Sequence, residues 1–364
     1  MHSLDEIAKD PEGFRAAVRE ARPYKPLYVK IKIVSECNLR CRMCNHWRCE
    51  PTPPLPLERW RAIVDQLAAA GCRKLNFSGG EPALYPDLAP LIEHASSRGL
   101  GVSITTNATR IDKDLARRLA SAGLRGANVS IDSPDRRLHD ENRGVRGAWK
   151  EALRGFANLV RCLKRGKVRV NTVVGRRNYA SLADLPDLAA EAGAGAINLV
   201  PVDVHTAEAR PLKARHILRY NVEVAPVFAE KALASRLIKR RGDAYPFGTR
   251  PSEIKRTKRG LYARGYYERR RCYAPWTHAL IDPLGRVKVC CMLIGGPLLG
   301  DLRERTLDEV WSGEPFAQVR ARPGTPLFDT CHQCDMFLER NRVIERLLST
   351  PPAPPATREV PPPH

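Results

Sequence analysis

The sequence predicts an α/β fold on a parallel sheet of six βα units, arranged as a partial barrel or a doubly wound sheet. Three observations predict it. β-branched runs alternate with stretches of helical apolar periodicity, each helical stretch closes at a glycine, and the pattern recurs from residue 28 to residue 202 and then stops. Such alternation means βα units and parallel strands. Six units fall short of the eight that close a full barrel.

The elements follow in order. "YVKIKIVS" (28–35) reads as the first strand, and "LERWRAIVDQLAAAG" as a helix stopped by Gly71. "KLNFSG" (74–79) precedes "LAPLIEHASSRG", and "GVSITTN" (101–107) precedes "DLARRLASAG". "ANVSID" (127–132) leads into "WKEALRGFANLVRCLKRG", and "KVRVNTVV" (167–174) into "LADLPDLAAEAG"; "AINLVPV" (196–202) completes the set. Glycine ends these helices because it takes the left-handed turn without steric penalty. In a parallel sheet the loops at the C-terminal strand ends carry the site. Residues 1–26 read as a helical extension, 204–271 as a basic helical bridge, 272–348 as a cysteine-rich unit, and 349–364 as a Pro-rich disordered tail.

The 364 residues, 43% hydrophobic and 28% charged, suit a globular protein of more than one domain. No apolar run approaches the ~18 residues of a membrane span, and the N-terminus lacks the apolar stretch of a secretory signal. The expected location is the cytoplasm, without membrane association. Eleven cysteines are then read as metal-binding or catalytic rather than as disulfides. The net charge is +21, and residues 205–271 alone hold 18 Lys and Arg against 6 Asp and Glu. A basic stretch like this either binds anions or is a solvated face.

"SECNLRCRMCNHW" (35–47) places Cys37, Cys41 and Cys44 straight after the first strand, with His46 beside them. Zinc could use such a set. A [4Fe–4S] cluster could use it too, and three local thiolates would leave one iron open for chemistry. A second set comprises Cys272, Cys290 or Cys291, Cys331 and Cys334. "HALIDPLGRVKV" within it reads as a hairpin turning at Pro283–Gly285. Zinc and iron–sulfur again both fit.

"CNLRCRMC" resembles the signature of the radical S-adenosylmethionine (radical SAM) superfamily. The resemblance implies a partial (β/α)6 barrel of the radical SAM type, spanning 27–203, with Cys37, Cys41 and Cys44 on a [4Fe–4S] cluster. S-adenosylmethionine would chelate the fourth iron, be cleaved to a 5′-deoxyadenosyl radical, and so abstract hydrogen from a substrate. Met43 stands where the family often has an aromatic residue near the adenine. "SGGEP" resembles the family's Gly-Gly-Glu-Pro element, which implies that Gly79, Gly80, Glu81 and Pro82 bind the cosubstrate. Asn107, Ser130 and Asp132, at the ends of the third and fourth strands, are implied as further contacts. "HDENRG" (139–144) resembles a common segment after the fourth strand, where Arg143 reads as a carboxylate contact or a surface ion pair.

The second set is similar to the small C-terminal auxiliary-cluster domain called SPASM, in its shorter "twitch" form. This implies one auxiliary [4Fe–4S] cluster on Cys272, Cys290, Cys331 and Cys334, with Cys291 competing for the second place. Four protein ligands would make it an electron carrier or a staple. The expected substrate is a small polar metabolite of sugar, cyclitol or nucleoside type, anionic if the basic stretch contacts it, undergoing dehydrogenation or epimerisation. The alternative is a ribosomally made peptide that is cross-linked or epimerised. Flavodoxin or ferredoxin is the expected electron donor. A zinc-containing nucleic-acid-binding protein would explain the charge, but not "SGGEP" or six βα units.

Overall fold

The computed structural model describes residues 4–48, 50, 52–203, 209–293 and 295–349. Cys49, residues 204–208 of the basic bridge and the Pro-rich tail from residue 350 lie outside the described residues.

The six expected strands are β1 (Tyr28–Val34), β2 (Lys74–Gly79), β3 (Gly101–Thr106), β4 (Gly126–Ser130), β5 (Val168–Val174) and β6 (Ile197–Pro201). They pair in parallel in chain order. The expected helices fall between them. The helix Leu57–Ala69 illustrates why: Trp60, Ile63, Val64 and Leu67 recur at helical spacing and are all buried against the sheet. Cutting one such buried leucine to alanine costs about 2–5 kcal/mol.

The sheet does not end at β1. β7 (His278–Ile281) lies parallel to the other edge of β1, pairing Tyr28 with His278 and Ile31 with Ile281. β8 (Arg286–Lys288) and β9 (Gly300–Asp301) continue antiparallel, giving the order β6-β5-β4-β3-β2-β1-β7-β8-β9. The hairpin read at Pro283–Gly285 is therefore present, and it extends the main sheet. Its turn is held by Asp282, whose carboxylate accepts from the Leu284 and Arg286 amides at 3.0 Å each.

β1 is thus a central strand. Val29, Ile31 and Ile33 are fully buried beneath the helices, while Tyr28, Lys30 and Lys32 alternate onto the other face. The N-terminal helices Asp5–Lys9 and Pro11–Arg19 seat Ile7 and Phe14 against Trp276 and Ile344 of the C-terminal unit. The stretch 209–271 is helical in pieces, as expected. Many of its cations are spent on neighbouring carboxylates: Arg219 on Glu223, Lys231 on Asp184 and Asp187, Arg240 on Asp243, and Arg264 on Glu253.

Candidate active site and cluster sites

The loop after β1 is held by backbone. The Arg40 and Arg42 amides donate to the carbonyls of Arg143 and Asn142 at 3.1 and 3.0 Å. Leu39, Cys41 and Ala148 form a small apolar cluster beneath it. On the other side the "SGGEP" backbone presses against the loop's entry. Gly80 donates to the Val34 carbonyl at 2.9 Å, and Glu81 to that of Glu36 at 2.8 Å. A Cβ on Gly80 would stand 1.9 Å from the Glu36 oxygen, so only glycine fits there.

Cys37, Cys41 and Cys44 line one cavity of about 370 Å³ at the C-terminal ends of the strands. Met43, Gly79, Gly80, Glu81, Asn107 and Ser130 line the same cavity. Donors reach all three sulfurs: Asn107 Nδ2 at 4.0 Å from Cys37, Arg143 at 3.8 Å from Cys41, and the His46 amide at 3.5 Å from Cys44. Burial pushes the Cys37 thiol up to about 11 and raises that of Cys41, the latter opposed by Arg143. Thiolates are the metal-binding form, so these buried thiols need a cation to ionise.

Glu81 is buried. It accepts from Thr106 Oγ1 at 2.5 Å, from the Ala83 amide at 3.1 Å and from the Asn107 amide at 2.7 Å. A carboxylate offers about four acceptor positions, so one is left for an ammonium. Burial raises its pKa, against those three donors.

Two of the implied cosubstrate residues are placed otherwise. Pro82 is buried as the first residue of the turn Pro82–Leu84 and is not among the residues lining the cavity. Asp132 is fully buried behind the wall: its Oδ1 binds Arg143 at 2.8 Å and the Val173 amide at 3.0 Å, and its Oδ2 has no hydrogen-bond partner. Arg143 is therefore no surface residue. Burial opposes its charge, yet Asp132 and Cys41 together raise its pKa. It lines the cavity that Asp132 does not reach.

Cys272, Cys290, Cys331 and Cys334 surround a second cavity, walled by Val289, Leu293 and Phe337. Asn341 Nδ2 lies 3.6 Å from the Cys272 sulfur and donates to the Tyr267 hydroxyl at 2.7 Å. That hydroxyl lies 3.9 Å from the Cys334 sulfur. Burial pushes Cys331 up to about 11 and Cys290 and Cys334 well above the usual thiol range. Four soft donors in an apolar wall suit an iron–sulfur cluster. Cys291 faces the first cavity instead.

Comparison with known proteins decides the family. Residues 31–189 match the Radical SAM superfamily, and residues 272–335 match SPASM, an iron-sulfur cluster-binding domain. The chain belongs to the radical SAM superfamily. It is an enzyme of that family with a SPASM domain, and it uses [4Fe–4S] clusters and S-adenosylmethionine.

Among its relatives, the AdoMet-dependent heme synthase of Methanosarcina barkeri is 27% identical, over 81% of this chain and 85% of the relative. The PqqA peptide cyclase of Xanthomonas campestris is 28% identical, over 85% and 79%. Matches at 32% to 35% identity span only 41% to 44% of the relatives concerned. Streptococcus suis SuiB bound to S-adenosylmethionine superposes with a TM-score of 0.66 at 20% identity, covering 88% of this chain and 75% of that one, which supports the fold.

Several lining residues were not expected to bear on function: Lys30 and Lys32 from β1, and Asp203, Tyr262 and Asp335 from later segments. The one signal for the lysines was "KIK" itself, since charged residues at alternate positions of a central strand must face a polar interior. Among the described residues, no Lys or Arg of the 205–271 bridge lines this cavity.

Proposed function

We propose that this enzyme modifies a peptide, abstracting hydrogen from an unactivated C–H bond within it. The observation that carries the reading is the form of the site. The cavity shares Met43 and Val173 with a groove lined by Arg42, Arg176 and Arg210, and that groove shares Arg42 with a wider surface hollow. A reaction cavity with further hollows sharing its walls suits an extended chain better than a compact metabolite. The peptide cyclase among the relatives supports the same reading.

In this reading Cys37, Cys41 and Cys44 would hold the first cluster, and Met43, Gly79, Gly80, Glu81, Asn107 and Ser130 would receive S-adenosylmethionine. The bound pair supplies the radical that removes hydrogen. Glu81 takes the ammonium of the cosubstrate on its remaining acceptor position. Asp132 positions Arg143, which sets a fixed positive charge beside Cys41. Cys272, Cys290, Cys331 and Cys334 would hold the auxiliary cluster, which would supply a one-electron acceptor there.

A small anionic metabolite is the second reading, favoured by Lys30 and Lys32 in the cavity. Anaerobic incubation with S-adenosylmethionine and dithionite separates the two. Synthetic peptides of varied sequence are the first set of candidates, and small polar acids the second. The peptide reading expects 5′-deoxyadenosine to rise with a peptide whose mass falls by lost hydrogen. A response to small acids alone would replace it with the metabolite reading.

A further inference from the structure

We infer that Lys30 and Lys32 form a carboxylate-binding subsite for the substrate, set in the reaction cavity between the two cluster sites. The inference rests on the proposed chemistry at that cavity and adds what the substrate must carry.

The two lysines leave β1 on the same face, about 7 Å apart along the strand. Both line the cavity that holds Cys37, Cys41 and Cys44. β1 has hydrogen-bonded strands on both sides, so the pair sits over the centre of the sheet and not at its rim. Cys291 and Met292, beside the auxiliary site, line the same space.

Neither ammonium has a carboxylate partner among the described residues. Lys32 donates to His46 Nε2 at 3.2 Å. An imidazole is no anion, so this contact gives Lys32 no counter-charge. Of the carboxylates lining the cavity, Glu81 and Asp335 form no ion pair with either lysine among the described residues. Glu81 is engaged by Thr106, Ala83 and Asn107. Asp335 lines the cavity wall without a salt bridge to either lysine among the described residues.

Two like charges in a half-buried interior with no protein carboxylate paired to them are costly. Such an arrangement weakens the empty protein and favours an anion that completes it. One carboxylate bridging both ammoniums, or two carboxylates on a short spacer, fits the separation. A peptide would offer it as a Glu or Asp side chain or its C-terminus, and a metabolite as an acid group.

The test uses the reconstituted holoenzyme with S-adenosylmethionine, iron counts confirming that both clusters are loaded in every variant. Melting is followed by circular dichroism. Without ligand, Lys30→Met/Lys32→Met should melt about 2–4 °C above wild type, since it removes unpaired charge; a lower melting temperature would mean that the lysines are structural and would overturn the subsite. The probes are glutarate, acetyl-Ala-Glu-Ala-amide and its Gln counterpart. Wild type and Lys30→Arg/Lys32→Arg should be stabilised by a carboxylate probe, and the Met variant should need at least tenfold more of it. Stabilisation by the Glu peptide supports both the subsite and the peptide reading. Stabilisation by glutarate alone supports the subsite and removes the peptide reading. Equal response to the Glu and Gln peptides, or response to neither acid, overturns the subsite.

Discussion

His139 packs at the hinge between the end of β4 and the cluster loop. It is buried, and its Nδ1 accepts from the Asp132 amide at 3.2 Å. Burial, then Arg143, holds its pKa at about 4, against an ordinary 6.5. The sign follows from linkage: the unfolded chain takes up a proton below about 6.5 that the folded one refuses until about 4. Stability contributed by neutral His139 is therefore present above 6.5 and is lost as pH falls toward 4. Urea unfolding of the anaerobic holoenzyme should give a lower midpoint at pH 5 than at pH 7. His139→Gln, which keeps an acceptor without titrating, should show a smaller drop. Identical drops in both proteins would assign the acid sensitivity elsewhere. No sequence pattern marked His139 as buried, because a lone histidine in "HDENRG" looks the same on a surface.

At the scale of elements, the helix Arg136–Arg143 clamps the site. Its last residue ties Asp132, at the end of β4, to Cys41 in the cluster loop, and Gly144 then turns left-handed at φ +70° against the Arg40 carbonyl. A buried pair of this kind contributes less by its existence than it costs to break. Arg143→Met, leaving Asp132 charged and alone, should destabilise by about 3–5 kcal/mol. Adding Asp132→Leu should recover part of that loss, in a double-mutant cycle read by urea unfolding. Strictly additive costs would contradict the coupling. The six parallel strands were legible because each has its own β-branched run, and their helices because each has its own period and stop. The union of β7 with β1 was not, since a pairing across some 250 residues leaves no local mark. The basic bridge stayed open between an anion site and a solvated face for a related reason: composition reveals cations but not the carboxylates they meet after folding.

Across the whole molecule, two cysteine sets meet around one sheet. The first stands at the C-terminal end of β1, and the second is brought alongside through the hairpin that extends β1's other edge. Each set was legible from spacing. The division of labour between Cys290 and Cys291 was not, because adjacent residues differ only in which way the backbone turns them. Burial raises the thiol pKa at Cys37 and Cys41 in the first set and at all four cysteines of the second, and the ten cysteines among the described residues are free thiols. The most direct measurement is iron and sulfide content after anaerobic reconstitution of wild type and Cys41→Ala, with 5′-deoxyadenosine assayed on each. Two [4Fe–4S] clusters in wild type, one in the variant, and nucleoside formation lost with the first cluster are the predicted results. Equal iron in the two proteins, or undiminished 5′-deoxyadenosine from Cys41→Ala, would contradict the assignment of the first cluster to Cys37, Cys41 and Cys44.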